Sequence, residues 1–252
     1  MHLLRVSPLF LLALTPLSAQ PIIDLSAWTT NGSAKIQKIP GGRYRLWLTP
    51  NTEAQAGSAF TSNPVVFGPQ HRFRAFFQFQ MTNPVYQASD GMTFVLQTEG
   101  PTALGSNGGN LGYANGSNGT VPGITPSVAV EFDDYDNSPY DMNDNHVAIL
   151  TGGIMNDQDP QTPYGVTNCQ PTGGHGCMNN GDVWSVWIDY DGANLNVALA
   201  DDSVRRPANL ISYPIDIASL LGPGPVYVGF TAGCGLGSED HYVMNVLFEA
   251  GS

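Results

Sequence analysis

Between Glu131 and His146 the chain reads E-F-D-D-Y-D-N-S-P-Y-D-M-N-D-N-H, its most informative run of oxygen and imidazole donors. Glu131 and Asp133 stand two apart in a β-rich segment, so a strand places both carboxylates on one face, ~7 Å apart at the backbone. A turn with Asn137, Pro139 and Asp141 follows, and the chain becomes apolar again after His146. Carboxylates crowded in this way repel one another unless a cation sits among them. Hard oxygen ligands with a backbone carbonyl from the turn suit calcium. Carboxylates joined by one imidazole suit a transition ion such as manganese. Asp133 and Asp141 are placed to bridge two such ions. The plain alternative is an acidic, Asn-rich surface loop.

These residues need strands to hold them, and period-two alternation supplies the strands. In Arg72 to Met81, the residues Phe73, Ala75, Phe77, Phe79 and Met81 share one face. Val128, Val130 and Phe132 share another, with Ala129, Glu131 and Asp133 opposite. Val183 to Tyr190 and Val226 to Phe230 are further β-rich runs, and only Ile215 to Leu221 suggests a short helical turn. Gly-, Asn- and Pro-rich loops separate the strands, notably Gly100 to Pro126 and Thr151 to Asp182. The economical reading is all-β: two packed antiparallel sheets in a jelly-roll sandwich.

The start of the chain is read apart from the fold. Arg5, a short apolar run to Leu14 and the small residues Ser18 and Ala19 have the order of a secretory signal peptide, residues 1–19. The run is too short to span a bilayer, and no later stretch reaches about 18 apolar residues, so the expectation is an exported protein without membrane insertion. Residues 20–252 then fit one large β domain or two small ones. Acidic and basic counts of 21 and 9 give a formal charge of −12. A nucleic-acid partner needs a basic face, and the sequence shows none.

Export permits disulfides. Cys169 and Cys177 bracket the Gly-rich run Gln170 to Gly176, a natural loop to close. A zinc site using His175 is the alternative, and Cys234 is left over as a small buried thiol. Asn31, Asn115 and Asn118 lie in N-x-S/T sequons, which matter only in a host that glycosylates.

The Glu131–His146 run resembles the metal loop of the legume-type (L-type) lectins. Other motifs follow that family in order: Gly57 to Pro64 (G-S-A-F-T-S-N-P), Ser89 to Phe94 (S-D-G-M-T-F), Gly108 to Gly112 (G-G-N-L-G), Trp187 to Gly192 (W-I-D-Y-D-G) and Val228 to Gly235 (V-G-F-T-A-G-C-G). The resemblance implies a concanavalin-A-like sandwich over residues 20–252 that binds glycans and is not an enzyme. It implies that Glu131, Asp133, Asp141 and His146 hold Mn2+ or another transition ion. Ca2+ would fall to Asp133, the Tyr135 carbonyl, Asn137 and Asp141. Asp90 and Asn137 would hydrogen-bond sugar hydroxyls with a backbone N–H near Gly109, while Leu236 and Gly237 supply fourth-loop contacts. It further implies a cis peptide at Ser89–Asp90, a sugar-stacking aromatic at Tyr135 or Tyr140, with Tyr135 favoured, and pairing of two copies through a flat back sheet.

A rival comes from a different class. Glu131, Asp133 and Asp136 resemble the E-x-D-x-x-E site of laminarinase-like endoglucanases, whose two glutamates cleave glycosidic bonds. Here the last position is Asp136, and Asn137, Asp141 and His146 have no task in such a site. A third reading is an adhesion or structural domain of lectin type that binds no sugar. His71 and His241 read as surface or strand-edge residues, His241 beside a surface pair of Glu239 and Asp240. Trp28, Trp47, Trp184 and Trp187 read as core or rim aromatics.

Overall fold

Phe73, Ala75, Phe77, Phe79 and Met81 do share one face of a long strand, and all of them are buried. The structure is a computed structural model that describes residues 24–117, 119–138, 141, 143–155, 163–167, 169 and 176–251. The expected leader, Asn118, Pro139, Tyr140 and His175 lie outside the described residues.

Two seven-stranded antiparallel sheets pack face to face. The first runs, edge to edge, through β1 (Trp28–Gly32), β4 (Ala56–Thr61), β13 (Tyr227–Gly233), β6 (Gly91–Gln97), β7 (Ser127–Asp133), β8 (His146–Thr151) and β9 (Tyr164–Val166). The second runs through β12 (Ile211–Pro214), β11 (Asn194–Asp201), β10 (Trp184–Tyr190), β5 (Phe73–Val85), β14 (Ser238–Ala250), β3 (Tyr44–Thr49) and β2 (Lys35–Lys38). A five-residue helix, α1 (Ile217–Leu221), forms within the expected helical turn and is capped by Asp216, whose side chain accepts the Ser219 N–H. β9 falls inside the stretch 151–182 that reads as loop from sequence, because three residues carry too short an alternation to detect.

Aromatic residues fill the space between the sheets. Phe77 of the second sheet packs edge-on against Phe230 at 4.8 Å and stacks on Phe94 at 5.8 Å, both from the first sheet. Burying a phenylalanine contributes ~1.5–3 kcal/mol before the entropy of ordering is subtracted. Trp28 and Trp184 are buried and Trp47 and Trp187 half-buried, as core and rim aromatics should be.

The first sheet is buried on its outer face as well. There Val95, Ala129 and Leu150 meet Ala103, Tyr113 and Ile124 of the long loop 98–126. The Tyr113 hydroxyl bonds to Ser127 Oγ at 2.9 Å and accepts the Gly153 N–H at 3.1 Å. This is why Ala129, Glu131 and Asp133, which alternate with core residues, are nevertheless out of water. The loop is also tied at its tip, where the Gly108 N–H donates to the Cys234 carbonyl at 3.1 Å and Thr231 Oγ1 donates to the Leu111 carbonyl at 2.6 Å.

Cys169 and Cys177 form a disulfide, which replaces the zinc alternative for these cysteines. Cys234 is a free, fully buried thiol. Asn31 is not an open acceptor: its amide nitrogen donates to Ser58 Oγ and to the Pro101 carbonyl, both at 3.0 Å.

Candidate functional site

Strand register assembles the first cluster. β7 pairs with β8 so that Asp133 lies opposite His146, and Glu131 sits two residues back on the same face. Glu131, Asp133 and His146 each offer a ligand atom within 4.8 Å of the others, and all three are buried. His146 Nε2 lies 3.8 Å from Glu131 Oε2. Its Nδ1 meets the Asn143 carbonyl at 2.9 Å. A carbonyl only accepts, so Nδ1 carries the hydrogen and Nε2 presents a lone pair to the carboxylates, as metal-ligating imidazoles do. Burial holds His146 below its usual titration range, which favours that neutral form.

Burial first, then the charges of Glu131 and Asp141, push Asp133 well above the ordinary carboxylate range. Asp133 Oδ1 accepts the Tyr135 N–H at 2.8 Å, while Oδ2 has no hydrogen-bond partner. Asp141 Oδ2 accepts the Asn137 N–H at 2.6 Å, which closes the turn. Asp133 Oδ2 and His146 Nε2, both buried and without a hydrogen-bond partner, are costly unless a cation satisfies them. The donor set therefore fits a metal ion.

The turn delivers Asn137 to a second group of residues. The Asn137 side chain lies beside the Asp90 carboxylate and favours its charged form. Asn137 Oδ1 also packs so closely on Gly109 that a Cβ there would lie 2.5 Å from it. Asp90 follows a cis peptide at Ser89–Asp90, the bond the family resemblance implied. Its N–H donates to the Gly233 carbonyl at 3.1 Å, and its carbonyl accepts the Asp134 N–H at 3.3 Å. Burial raises the Asp90 carboxyl, opposed by hydrogen bonds from Asn137 and the Gly235 N–H. The structure thus brings Asp90, Gly109 and Asn137 together, beside the cluster of Glu131, Asp133 and His146.

The remaining residues named from sequence divide. Leu236 is 67% exposed at the tip of the loop before β14. Gly237 is buried, and a Cβ there would strike the Gln87 carbonyl and Ser89 Oγ at 2.7 Å, so this glycine packs behind the Asp90 turn. Tyr135 is half-buried at the turn. Gly235, which packs against the Asp90 carboxylate, falls within the stretch Val228 to Gly235 but carried no role of its own in the sequence. Tyr86, 84% exposed beside Gln87, carried no periodic or motif signal at all.

One expectation is corrected. His241 and Glu239 are not at the surface: both are fully buried, and Asp134 is 3% exposed beside them. In β14, His241 pairs with Met81 and Thr49, so it faces the space between the sheets, and Glu239 shares its face. Asp134, Glu239 and His241 form a second buried group whose ligand atoms lie within 4.8 Å of one another.

The family profile described as legume lectin domain matches residues 25–251. The L-type lectin-domain containing receptor kinase I.8 of Arabidopsis thaliana is 28% identical over 220 residues, 84% of this chain and 32% of that protein. The chain thus spans about a third of the length of that receptor kinase. A lectin-like protein of Arabidopsis thaliana is 27% identical over 77% of this chain and 75% of its own length. Among solved structures, the metal-free lectin I-B4 of Griffonia simplicifolia superposes with a TM-score of 0.69 at 21% identity, covering 89% of this chain and 93% of that one. The winged bean acidic lectin, complexed with methyl-α-D-galactose, gives 0.67 at 25% identity, covering 88% and 92%.

Proposed function

The chain belongs to the legume lectin domain family, and on that premise we propose that it is a secreted lectin with a metal-organised sugar site. The observation that carries this reading is Asn137, whose side chain meets both the Asp90 carboxylate and Gly109 while its backbone is tied to Asp141. A sugar hydroxyl both donates and accepts, so its edge is matched by a carboxylate at Asp90, an amide at Asn137 and a backbone N–H at Gly109. Leu236 and a tyrosine, Tyr135 or the exposed Tyr86, complete the rim in this proposal, with Gly237 supporting the fourth loop from behind.

Glu131, Asp133, Asp141 and His146 would hold the transition ion, manganese by the donor set. Asp133, the Tyr135 carbonyl, Asn137 and Asp141 would hold calcium, whose fixed charge would neutralise the carboxylates and keep the turn in register. Galactose is a reasonable first sugar to try, since it is the ligand in the winged bean lectin complex.

Hydrolysis is the weaker reading. Glu131 is buried beneath the loop beside His146, and Asp136 is exposed. A retaining pair must flank an accessible bond with carboxyls ~5–5.5 Å apart.

Secretion rests on the leader at residues 1–19 and on the Cys169–Cys177 disulfide. Among the described residues, no helix is long and apolar enough to cross a membrane. Pairing of two copies through the second sheet belongs to the same proposal. That sheet's outer face carries Phe76 against Trp187 at 5.3 Å, and light scattering on the purified chain tests it.

The sugar reading is tested by glycan-array binding before and after chelation, with calcium and manganese returned. Binding that vanishes with the chelator, returns with the ions and is lost in Asp90→Ala and Asn137→Ala supports it. Chelator-insensitive binding overturns it, and turnover of a β-glucan that depends on Glu131 transfers the assignment to the hydrolase.

A further inference from the structure

We propose that Asp134, Glu239 and His241 form an additional divalent-cation site, of the carboxylate-and-imidazole kind suited to zinc, between the two sheets and behind the Asp90 turn. Two carboxylates and one imidazole with ligand atoms within 4.8 Å of one another match the donors that zinc takes in proteins. The group is separate from the cluster of Glu131, Asp133 and His146. Asp133 faces outward under the long loop, and Asp134, one residue on, turns to the interior.

The second observation is the state of the ligand atoms. Neither carboxylate oxygen of Asp134 or Glu239 has a hydrogen-bond partner, and nor does His241 Nε2, which lies 3.4 Å from Glu239 Oε1. Glu239 and His241 are 0% exposed. Among the described residues, no lysine or arginine is a partner of this group. Carboxylates without hydrogen bonds at such depth are strongly penalised, and a divalent ion removes that penalty.

The surroundings orient the imidazole as a ligand. His241 Nδ1 lies 2.6 Å from Thr49 Oγ1, and the Cys234 thiol donates to that oxygen at 3.5 Å. A hydroxyl oxygen accepting from Nδ1–H leaves the Nε2 lone pair aimed at Glu239, the outer-shell arrangement that fixes metal-bound histidines.

The position gives the site a task. The Asp134 N–H donates to the Asp90 carbonyl, and the Cys234 carbonyl accepts the Gly108 N–H of the long loop. An ion at Asp134 would therefore brace the Asp90 turn and the loop from inside, independently of the ions under the sugar.

The test uses the full chain stripped by chelator, given Zn2+ alone and read by native mass spectrometry. With the outer cluster disabled by Glu131→Gln and His146→Gln, one zinc should remain bound, and adding His241→Gln or Asp134→Asn should remove it. If these added substitutions unfold the chain by circular dichroism, Co2+ in the outer-disabled chain should still give a one-equivalent visible band. No zinc and no cobalt band in a folded outer-disabled chain overturns the proposal. So does zinc unaffected by His241→Gln and Asp134→Asn. A carboxylic-acid C=O stretch that zinc does not displace shows instead a proton shared by Asp134 and Glu239, and also overturns it. The sugar reading stands or falls on glycan binding, which this count does not use.

Discussion

Asp133 and Asp134 are the same residue type, adjacent in the chain, and they serve opposite faces of the first sheet. Asp133 joins Glu131 and His146 under the long loop, in a group whose further partners, Asp141 and Asn137, belong to the turn that meets Asp90. Asp134 joins Glu239 and His241 in the interior, against Thr49 and Cys234. Asp133 is the last residue of β7 and Asp134 the first beyond it, and that one step sends their carboxylates to different groups. The lesson is that composition says how many donors a segment has, while the path of the chain decides which of them meet.

The largest expected effect separates the two faces directly. Asp133→Ala should weaken sugar binding by at least about 100-fold, since it removes a proposed metal ligand rather than a supporting contact. Titration calorimetry reads this, and the comparison breaks if affinity survives. Gly109→Ala should come next, at roughly tenfold weaker binding, or about 1.4 kcal/mol. The added methyl meets Asn137 Oδ1 at 2.5 Å, and the backbone there is not left-handed, so the folded state should be kept. An unchanged Kd would show that Asn137 yields freely.

Thr49→Val acts on the inner face only. Losing the partner of His241 Nδ1 should cost about 1–2 kcal/mol in denaturant unfolding. Sugar affinity in the ion-loaded protein should fall less than in Gly109→Ala. An equal fall would mean that the faces are not separable.

The smallest effect lies far from both. Asp216 is held below its ordinary carboxyl range by the Ser219 hydroxyl and N–H. A depressed folded value stabilises above the unfolded value near ~3.9 and is lost as pH falls through the folded one. Asp216→Asn should flatten the acid limb of unfolding slightly without altering either cluster.

The outer cluster was legible because its donors lie within one segment, from Glu131 to His146, and strand geometry is local. Phe73 to Met81 could be read for the same reason. The inner group was not: Asp134 lies just beyond β7 and Glu239 in β14, strands of different sheets, and no period in either segment encodes that meeting. Glu239 and His241 also sit among polar residues, which reads as surface until β3 and β5 close over them. The packing role of Gly237 was not legible either, because a motif shows that a glycine is present and not which neighbour forbids a side chain.

The long loop is fastened at its root by Tyr113 and at its tip by Gly108 and Leu111. A surface anchored at both ends keeps its contour before any guest arrives, so little ordering entropy is forfeited on contact. Preference among sugars is then written in the contour itself. Altering taste calls for changing the loop's length or its side chains; loosening it would weaken every ligand alike.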